Sequence, residues 1–287
     1  MTRIRGDDRA TAALVTAAFM FGSTFLVVQD ATDKASVFAF LAVRFLFGSA
    51  LLWPLARRRP AGVHEIRHGL GAGSCLLVGF VLQTVGLRYT TSSTSAFITY
   101  LLVVLVPVMT SLLDRTWPPR SVVAGVVLAV VGLVLLSGGI TGFGLGELLT
   151  LGCALAFALH IVVLGRTASR HDALRLTFWQ TLTVGVACLV PGLFTGGYAF
   201  GGGTWLAAGF CGLGATAIAF SCMVWAQRFV SEARAAIVLL LEPVFAACIG
   251  YLAGERLGFG GVVGAVLILG AVLVTELAPR RRAEVVT

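Results

Sequence analysis

The sequence predicts an all-α integral membrane protein of ten transmembrane helices arranged as two inverted five-helix repeats. Three observations carry that prediction. The 287-residue chain is 58% hydrophobic and only 12% charged, with a mean hydropathy of +0.96. Its apolar residues fall in runs of membrane-crossing length, and its arginines sort to alternate connections between them. A soluble domain carries about 25% charged residues, so no ordinary aqueous surface can be made from this composition. A hydrocarbon core takes roughly 20 apolar residues per helix, and helices are required because lipid cannot satisfy an exposed backbone.

The first five runs are Thr11 to Gln29, Val37 to Ala56, Leu70 to Leu87, Ala96 to Leu113 and Ser121 to Ser137. A glycine-rich break follows around Gly138 to Gly146. The second five are Leu148 to Gly165, Leu176 to Phe194, Trp205 to Trp225, Ala235 to Leu252 and Phe259 to Thr275. The predicted organisation is therefore a cytoplasmic N-terminus (1–10), a first repeat (11–138), a linker (139–147), a second repeat (148–277) and a cytoplasmic tail (278–287). Arg3, Arg5 and Arg9 before the first run resemble the basic region of a signal peptide, but the run is long for one and lacks a convincing cleavage site, so it reads as a retained helix.

Orientation follows from the basic residues. With the N-terminus inside, seventeen arginines fall on cytoplasmic segments, including Arg57–Arg58–Arg59 and Arg280–Arg281–Arg282, whereas the opposite loops hold only Lys34, Arg88 and Arg256. Such a bias puts both termini in the cytoplasm of a multi-pass protein of the cell membrane. It also disposes of a nucleic-acid reading of the net charge of +8, because the arginines are scattered in short clusters between apolar runs. The six cysteines (Cys75, Cys153, Cys188, Cys211, Cys222 and Cys248) all lie inside apolar runs without CxxC spacing, which reads as packing, with no metal and no disulfide expected.

The two halves resemble each other where their last two helices begin. YLLVVLVPVMTSLLDR in the first matches LLLEPVFAACIGYLAGER in the second, each with a proline (Pro107, Pro243) followed by an acid–arginine pair (Asp114–Arg115, Glu255–Arg256). Five helices per copy is an odd number, so the second copy enters the membrane in the opposite sense. A single proline reads as a packing kink. Two at matching places in two repeats read as helix breaks beside a binding site near the midplane.

The chain resembles the EamA type of the drug/metabolite transporter superfamily over nearly its whole length. The stretches that carry the resemblance are FGSTFLVVQD near Gly22, LAVRFLFGSALL around Arg44, LQTVGLRYT at Gln83, AFITYLLVVLVPV at Pro107, GELLTLGCALAFALHIVVL at Glu147 and LEPVFAA at Glu242. The resemblance implies a ten-helix bundle with an internal solute pathway. It names a transport class, one that spans exporters of amino acids, other metabolites and drugs, and not a substrate. Relatives often carry tryptophan where this chain has Phe21 and Phe157, an exchange that keeps the aromatic face and loses an indole N–H.

Arg44 and Glu242 put formal charges deep inside apolar runs. A charge at the bilayer centre costs about 2.5 to 3.5 kcal/mol on insertion scales, so each should face a water-filled cavity or a partner, and they are candidates to partner each other. Arg44 reads as an anion-attracting or gating group, and Glu242 as a cation or proton site beside Pro243. For each, a buried structural tie is an equally weighted alternative. His160 could carry a proton, though a lone histidine is more often a hydrogen-bonded packing residue. Gln83, Ser95, Thr99 and Tyr100 offer uncharged hydrogen bonds to a solute or to neighbouring helices, and Gly260 and Gly264 read as close-packing sites.

The sequence lacks a phosphate loop, since its one lysine, Lys34, follows Asp33 and precedes Ala35. It also lacks HExxH and GxSxG, so neither an ATP-driven pump nor a familiar intramembrane hydrolase is expected, and no cofactor. The expectation is a secondary transporter of small metabolites, amino-acid-like solutes or drugs, working by alternating access and exporting them. Its candidate pathway or coupling residues are Arg44, Gln83, Tyr100, His160 and Glu242. Its partners are the solute, the lipid bilayer, possible protons and a possible second copy of the chain, with no nucleic acid. The competing class is a membrane subunit without transport activity, or an intramembrane enzyme.

Overall fold

The computed structural model describes residues 2–58, 60–86, 88–90, 95, 98–136, 144–252 and 258–277. Arg59, most of the predicted linker, the Glu255–Arg256 pair and the tail from residue 278 lie outside the described residues. Among the described residues every regular element is helical. The chain runs through α1 (Thr2–Lys34), α2 (Val37–Ala56), α3 (Val63–Gly86), α4 (Leu102–Asp114), α5 (Arg120–Leu136) and α6 (Leu145–Thr167). It continues through α7 (Ala173–Phe194), α8 (Gly202–Ala226), α9 (Glu232–Leu239), α10 (Leu241–Leu252) and α11 (Phe259–Leu277). By length and composition α2, α3, α6, α7 and α8 can each cross a bilayer, while Ile98–Asp114, Arg120–Gly132 and Phe259–Ala271 are shorter apolar helices.

Local chemistry sets several of the ends. Ser36 caps α2 by accepting from the Ala39 N–H, Asp172 caps α7 through the Leu174 and Arg175 N–H groups, and Ser231 caps α9 through Arg234. At the start of α6, Glu147 accepts from the Gly144 N–H at 2.7 Å and from the Thr90 hydroxyl. Arg115 closes α4 with φ 52°, a left-handed conformation that costs a non-glycine residue energy but frees the N–H to bond Ser111.

Two helices begin earlier than hydropathy implies. α1 starts at Thr2 and α3 at Val63 because a helix needs lipid-compatible residues only where it meets lipid. The polar first turns of α3 are held by other contacts, with Glu65 buried against Arg175 at 2.8 Å and against the Asp172 N–H at 2.9 Å. The prolines also behave differently from one another. Pro107 is buried inside the unbroken α4, and the nearest irregular turn is at Leu101. A proline keeps helical φ and forfeits one hydrogen bond, here to the Val103 carbonyl, so a well-packed helix can carry it. Pro243 stands in the first turn of α10, just after the turn at Leu240 that separates α9 from α10, where a missing N–H is best tolerated.

The helices pack α2 along α7, α5 along α11, α3 against both α6 and α7, and α1 against α8 and α10. Small residues allow the close crossings: a Cβ on Gly132 would lie 2.8 Å from the Gly264 carbonyl oxygen of α11, and one on Gly22 would lie 2.6 Å from the Glu242 carbonyl oxygen of α10. The interior is filled by Leu14, Phe40, Phe45, Leu76, Leu176 and Ile237, all fully buried. The outward faces are apolar as well, with Phe194 at 85%, Leu206 at 77% and Leu252 at 85% exposure. A surface of that kind suits lipid and not water.

Candidate functional site

The centre of the bundle is built around Arg44, the eighth residue of α2 and only 4% exposed. The middle of α8, Gly212–Ala219, is wound as a π-helix of glycine, alanine and Thr216 among its eight residues. This wider coil presses against α2 so closely that a Cβ on Gly48 would lie 2.5 Å from Thr216 and one on Gly212 would lie 2.8 Å from the Arg44 carbonyl oxygen. Arg44 Nε then donates to Thr216 Oγ1 at 3.2 Å. The guanidinium carbon lies 5.3 Å from the ring centres of both Phe45 and Phe80, the geometry of a cation–π contact. Among the described residues no carboxylate forms an ion pair with it.

Phenylalanines extend this setting. Phe80 meets Phe157 of α6 edge-on at 5.3 Å, Phe220 of α8 stands 6.2 Å from Phe45, and Phe21 of α1 meets Phe220 at 5.1 Å. Phe21 and Phe157 thus both belong to one aromatic cluster. Each keeps a flat apolar face toward the centre without a donor that would need a partner.

The other expected residues surround the cluster in three groups. Tyr100 is buried, and its hydroxyl lies beside the Glu242 carboxylate, which also lies within electrostatic reach of Arg44. Arg44 and Glu242 are therefore neighbours in charge, without a direct ion pair. Gln83 Nε2 donates to Thr99 Oγ1 at 3.3 Å, and Thr99 in turn approaches the Cys153 sulfur at 4.0 Å. His160 is 2% exposed, bonded to Gln180 Oε1 at 2.7 Å, and its ring meets Phe220 edge-on at 6.1 Å. Phe220 links the histidine to the arginine's aromatic surroundings.

Sequence reasoning passed over Thr216, Phe80, Phe220 and Gln180. An amide in an apolar run is a signal that Gln83 carries; Gln180 carries the same mark, and Gln227 sits two residues past the run that ends at Trp225. Both keep a buried polar atom without a hydrogen bond, Nε2 of Gln180 and Oε1 of Gln227. Such orphaned groups cost about 1–3 kcal/mol each and gather where a site needs an unused donor or acceptor. Thr216 had no such mark, because threonine is ordinary in membrane helices and only the π-helix aims it at Arg44.

Several charged groups gather at one end. Arg58, Arg170, Arg175 and Arg228 share a cleft, Arg166 pairs with Asp114 at 2.5 Å, and Arg234 reaches Asp7 at 4.0 Å. In the same region His68 Nδ1 and His171 Nε2 are 2.7 Å apart.

The EamA-like transporter family model matches the chain twice, over residues 9–138 and 144–277. The chain belongs to the EamA-like transporter family. It is a multi-pass membrane transporter of the drug/metabolite transporter superfamily. Among its relatives, an uncharacterized transporter of Archaeoglobus fulgidus is 33% identical over 270 residues, covering 93% of this chain and 86% of its own length. The uncharacterized transporter YvbV of Bacillus subtilis is 26% identical over 250 residues, covering 81% and 70%. A solved structure titled only as the crystal structure of a protein superposes with a TM-score of 0.79 at 22% identity, covering 93% of this chain and 96% of that one, which shows a shared fold.

Proposed function

We propose that this EamA-family chain is a secondary transporter that exports small metabolites, with amino-acid-like solutes or drugs as its substrates, by alternating access between two inverted five-helix repeats. The observation that carries the reading is Arg44: a buried guanidinium held by one threonine and two phenyl rings, with its remaining N–H donors uncommitted to any carboxylate among the described residues. A guanidinium out of water is a strong ligand for a carboxylate, which it can engage through two parallel N–H bonds. An amino-acid-like solute brings a carboxylate for Arg44, an ammonium for Glu242 and a side chain for the phenylalanine cluster. Gln83, Tyr100 and His160 are then pathway groups at its edge.

The packing supports two repeats. Exchanging α1, α2, α3, α4 and α5 for α6, α7, α8, α9–α10 and α11 turns the α3–α6 pair into α8–α1, α3–α7 into α8–α2, and α4–α6 into α9–α10 against α1. The α2–α7 and α5–α11 pairs map onto themselves. The double match of the family model falls at the same division. In this reading Arg44, His160 and Gln180 are sealed in the present conformation, and separation of one repeat from the other on either side opens the centre in turn. The arginine-rich end faces the cytoplasm of the cell membrane, with both termini. Glu242 offers a proton site for coupling.

The test is flux into proteoliposomes from a mixed pool of amino acids and small metabolites, at two pH gradients. Saturable uptake that is lost in Arg44→Ala and loses its pH dependence in Glu242→Gln, at unchanged folded yield, is expected. Flux that both variants preserve would remove the central site from the mechanism and favour a pathway elsewhere in the bundle.

A further inference from the structure

The cleft at the arginine-rich end has a volume of about 460 Å³, within the roughly 300–1,000 Å³ of small-ligand sites. Arginines from three separate parts of the chain converge on it: Arg58 after α2, Arg170 in the turn between α6 and α7, and Arg228 after α8. Among the described residues none of these three forms an ion pair. The acids close by are already engaged. Asp172 accepts from the Leu174 and Arg175 N–H groups as the cap of α7, and Glu65 holds Arg175. The excess of positive charge in the cleft is therefore not neutralised from within the protein.

A second cleft of about 270 Å³ adjoins the first through Arg175, which lines both. Its walls include Trp53, Ile66, Phe178 and Trp179. Trp53 and Phe178 lie 5.3 Å apart by ring centre, and Trp53 is 49% exposed beside the end of α2. Half-exposed tryptophan at a helix end marks the level of the lipid headgroups. A cationic cleft continuous with an aromatic one, at that level, matches a molecule with an anionic head and an apolar body.

We propose that this double cleft seats one anionic phospholipid, its phosphate against Arg58, Arg170 and Arg228 and its glycerol and first methylenes against Trp53, Phe178 and Trp179. Guanidinium groups suit phosphate because their planar donors bind two oxygens at once, and basic pockets between membrane helices are suited to lipid headgroups. A free phosphate ion would use the arginines and leave the aromatic cleft without a role, so the lipid is the better occupant.

The experiment releases the full chain from nanodiscs of equal phosphatidylglycerol and phosphatidylcholine and counts retained lipids by native mass spectrometry. The native chain is expected to keep one phosphatidylglycerol. The triple variant Arg58→Gln, Arg170→Gln, Arg228→Gln should lose it at least about tenfold. The triple variant Arg9→Gln, Arg67→Gln, Arg120→Gln, with the same change in net charge, should keep it. Equal loss in both variants would reduce the effect to general surface charge, and displacement by millimolar inorganic phosphate would assign the cleft to the free ion; either overturns the proposal. A measurement on the unaltered chain guards against a misfolded variant. Phosphatidylglycerol with brominated chains should quench tryptophan fluorescence more than brominated phosphatidylcholine at the same mole fraction, and equal quenching would again overturn it. Both readouts are of lipid, so they stand or fall independently of whether the flux assay identifies a solute.

Discussion

The centre and the arginine-rich end of this bundle hold the same kind of side chain in opposite ways. At the centre one arginine is buried among Thr216, Phe45 and Phe80, and Thr216 is brought to it by a helix crossing of minimal width. At the end several arginines are spread over the surface, and the pair Arg166–Asp114 is 40% and 46% exposed. A surface pair of that kind contributes about 0–1 kcal/mol, whereas leaving a buried charge without its partners costs about 3–5 kcal/mol. The difference teaches where substitution should matter: the centre depends on single atoms, and the end depends on the arginines that converge on its cleft and not on any one exposed pair.

The sharpest way to break the contrast is at Gly48. A methyl group there would meet Thr216 at 2.5 Å and the Gly212 carbonyl oxygen at 2.8 Å, and that backbone oxygen cannot move aside as a flexible side chain could. Gly48→Ala should therefore destabilise the protein by about 1–3 kcal/mol and lower its folded yield in detergent. Gly71→Ala, where the added atom meets nothing within 4 Å, should leave yield unchanged. Equal yields for the two variants would show that α2 and α8 are not held so close.

A finer cut is Thr216→Val. Valine keeps the shape of threonine and removes only the oxygen that accepts from Arg44 Nε. A hydrogen bond to a charged group contributes about 1.5–3 kcal/mol, so transport should fall by roughly tenfold or more at near-native folded yield. Unchanged transport would mean that the two rings alone position the guanidinium.

How much of this was legible beforehand follows from what each feature depends on. The helical membrane architecture is written in hydropathy, which lipid reads residue by residue, and Arg44 and Glu242 were visible because a charge in an apolar run needs either a cavity or a partner. The polar first turns of α3 were invisible to the same rule, since Glu65 is buried by Arg175, 110 residues away. The π-helix was hidden too. Glycine and alanine permit such a coil but equally permit an ordinary helix, and the choice is made by packing against α2. Pro107 lies within α4, six residues after the turn at Leu101, where burial and packing hold a proline in helical geometry.

The smallest expected effect belongs to the histidine pair at the arginine-rich end. A hydrogen bond between His68 Nδ1 and His171 Nε2 needs one nitrogen to donate and the other to accept, so at least one ring is neutral. Burial, then the adjacent His68, hold His171 below its ordinary value of 6.5, with Arg170 and His64 adding to the effect and Glu65 opposing it. The unfolded chain thus takes up a proton near 6.5 that the folded chain still refuses. The pair's contribution is fully present above that pH and is lost progressively as the pH falls from there through the lower value of the folded His171. Thermal unfolding followed by tryptophan fluorescence should show a midpoint that drops below pH 6.5 in the native protein, and a shallower drop in His171→Gln, whose amide can bond His68 without titrating. Superimposable pH profiles would show that the bridge between α3 and the α6–α7 turn carries no weight in the fold.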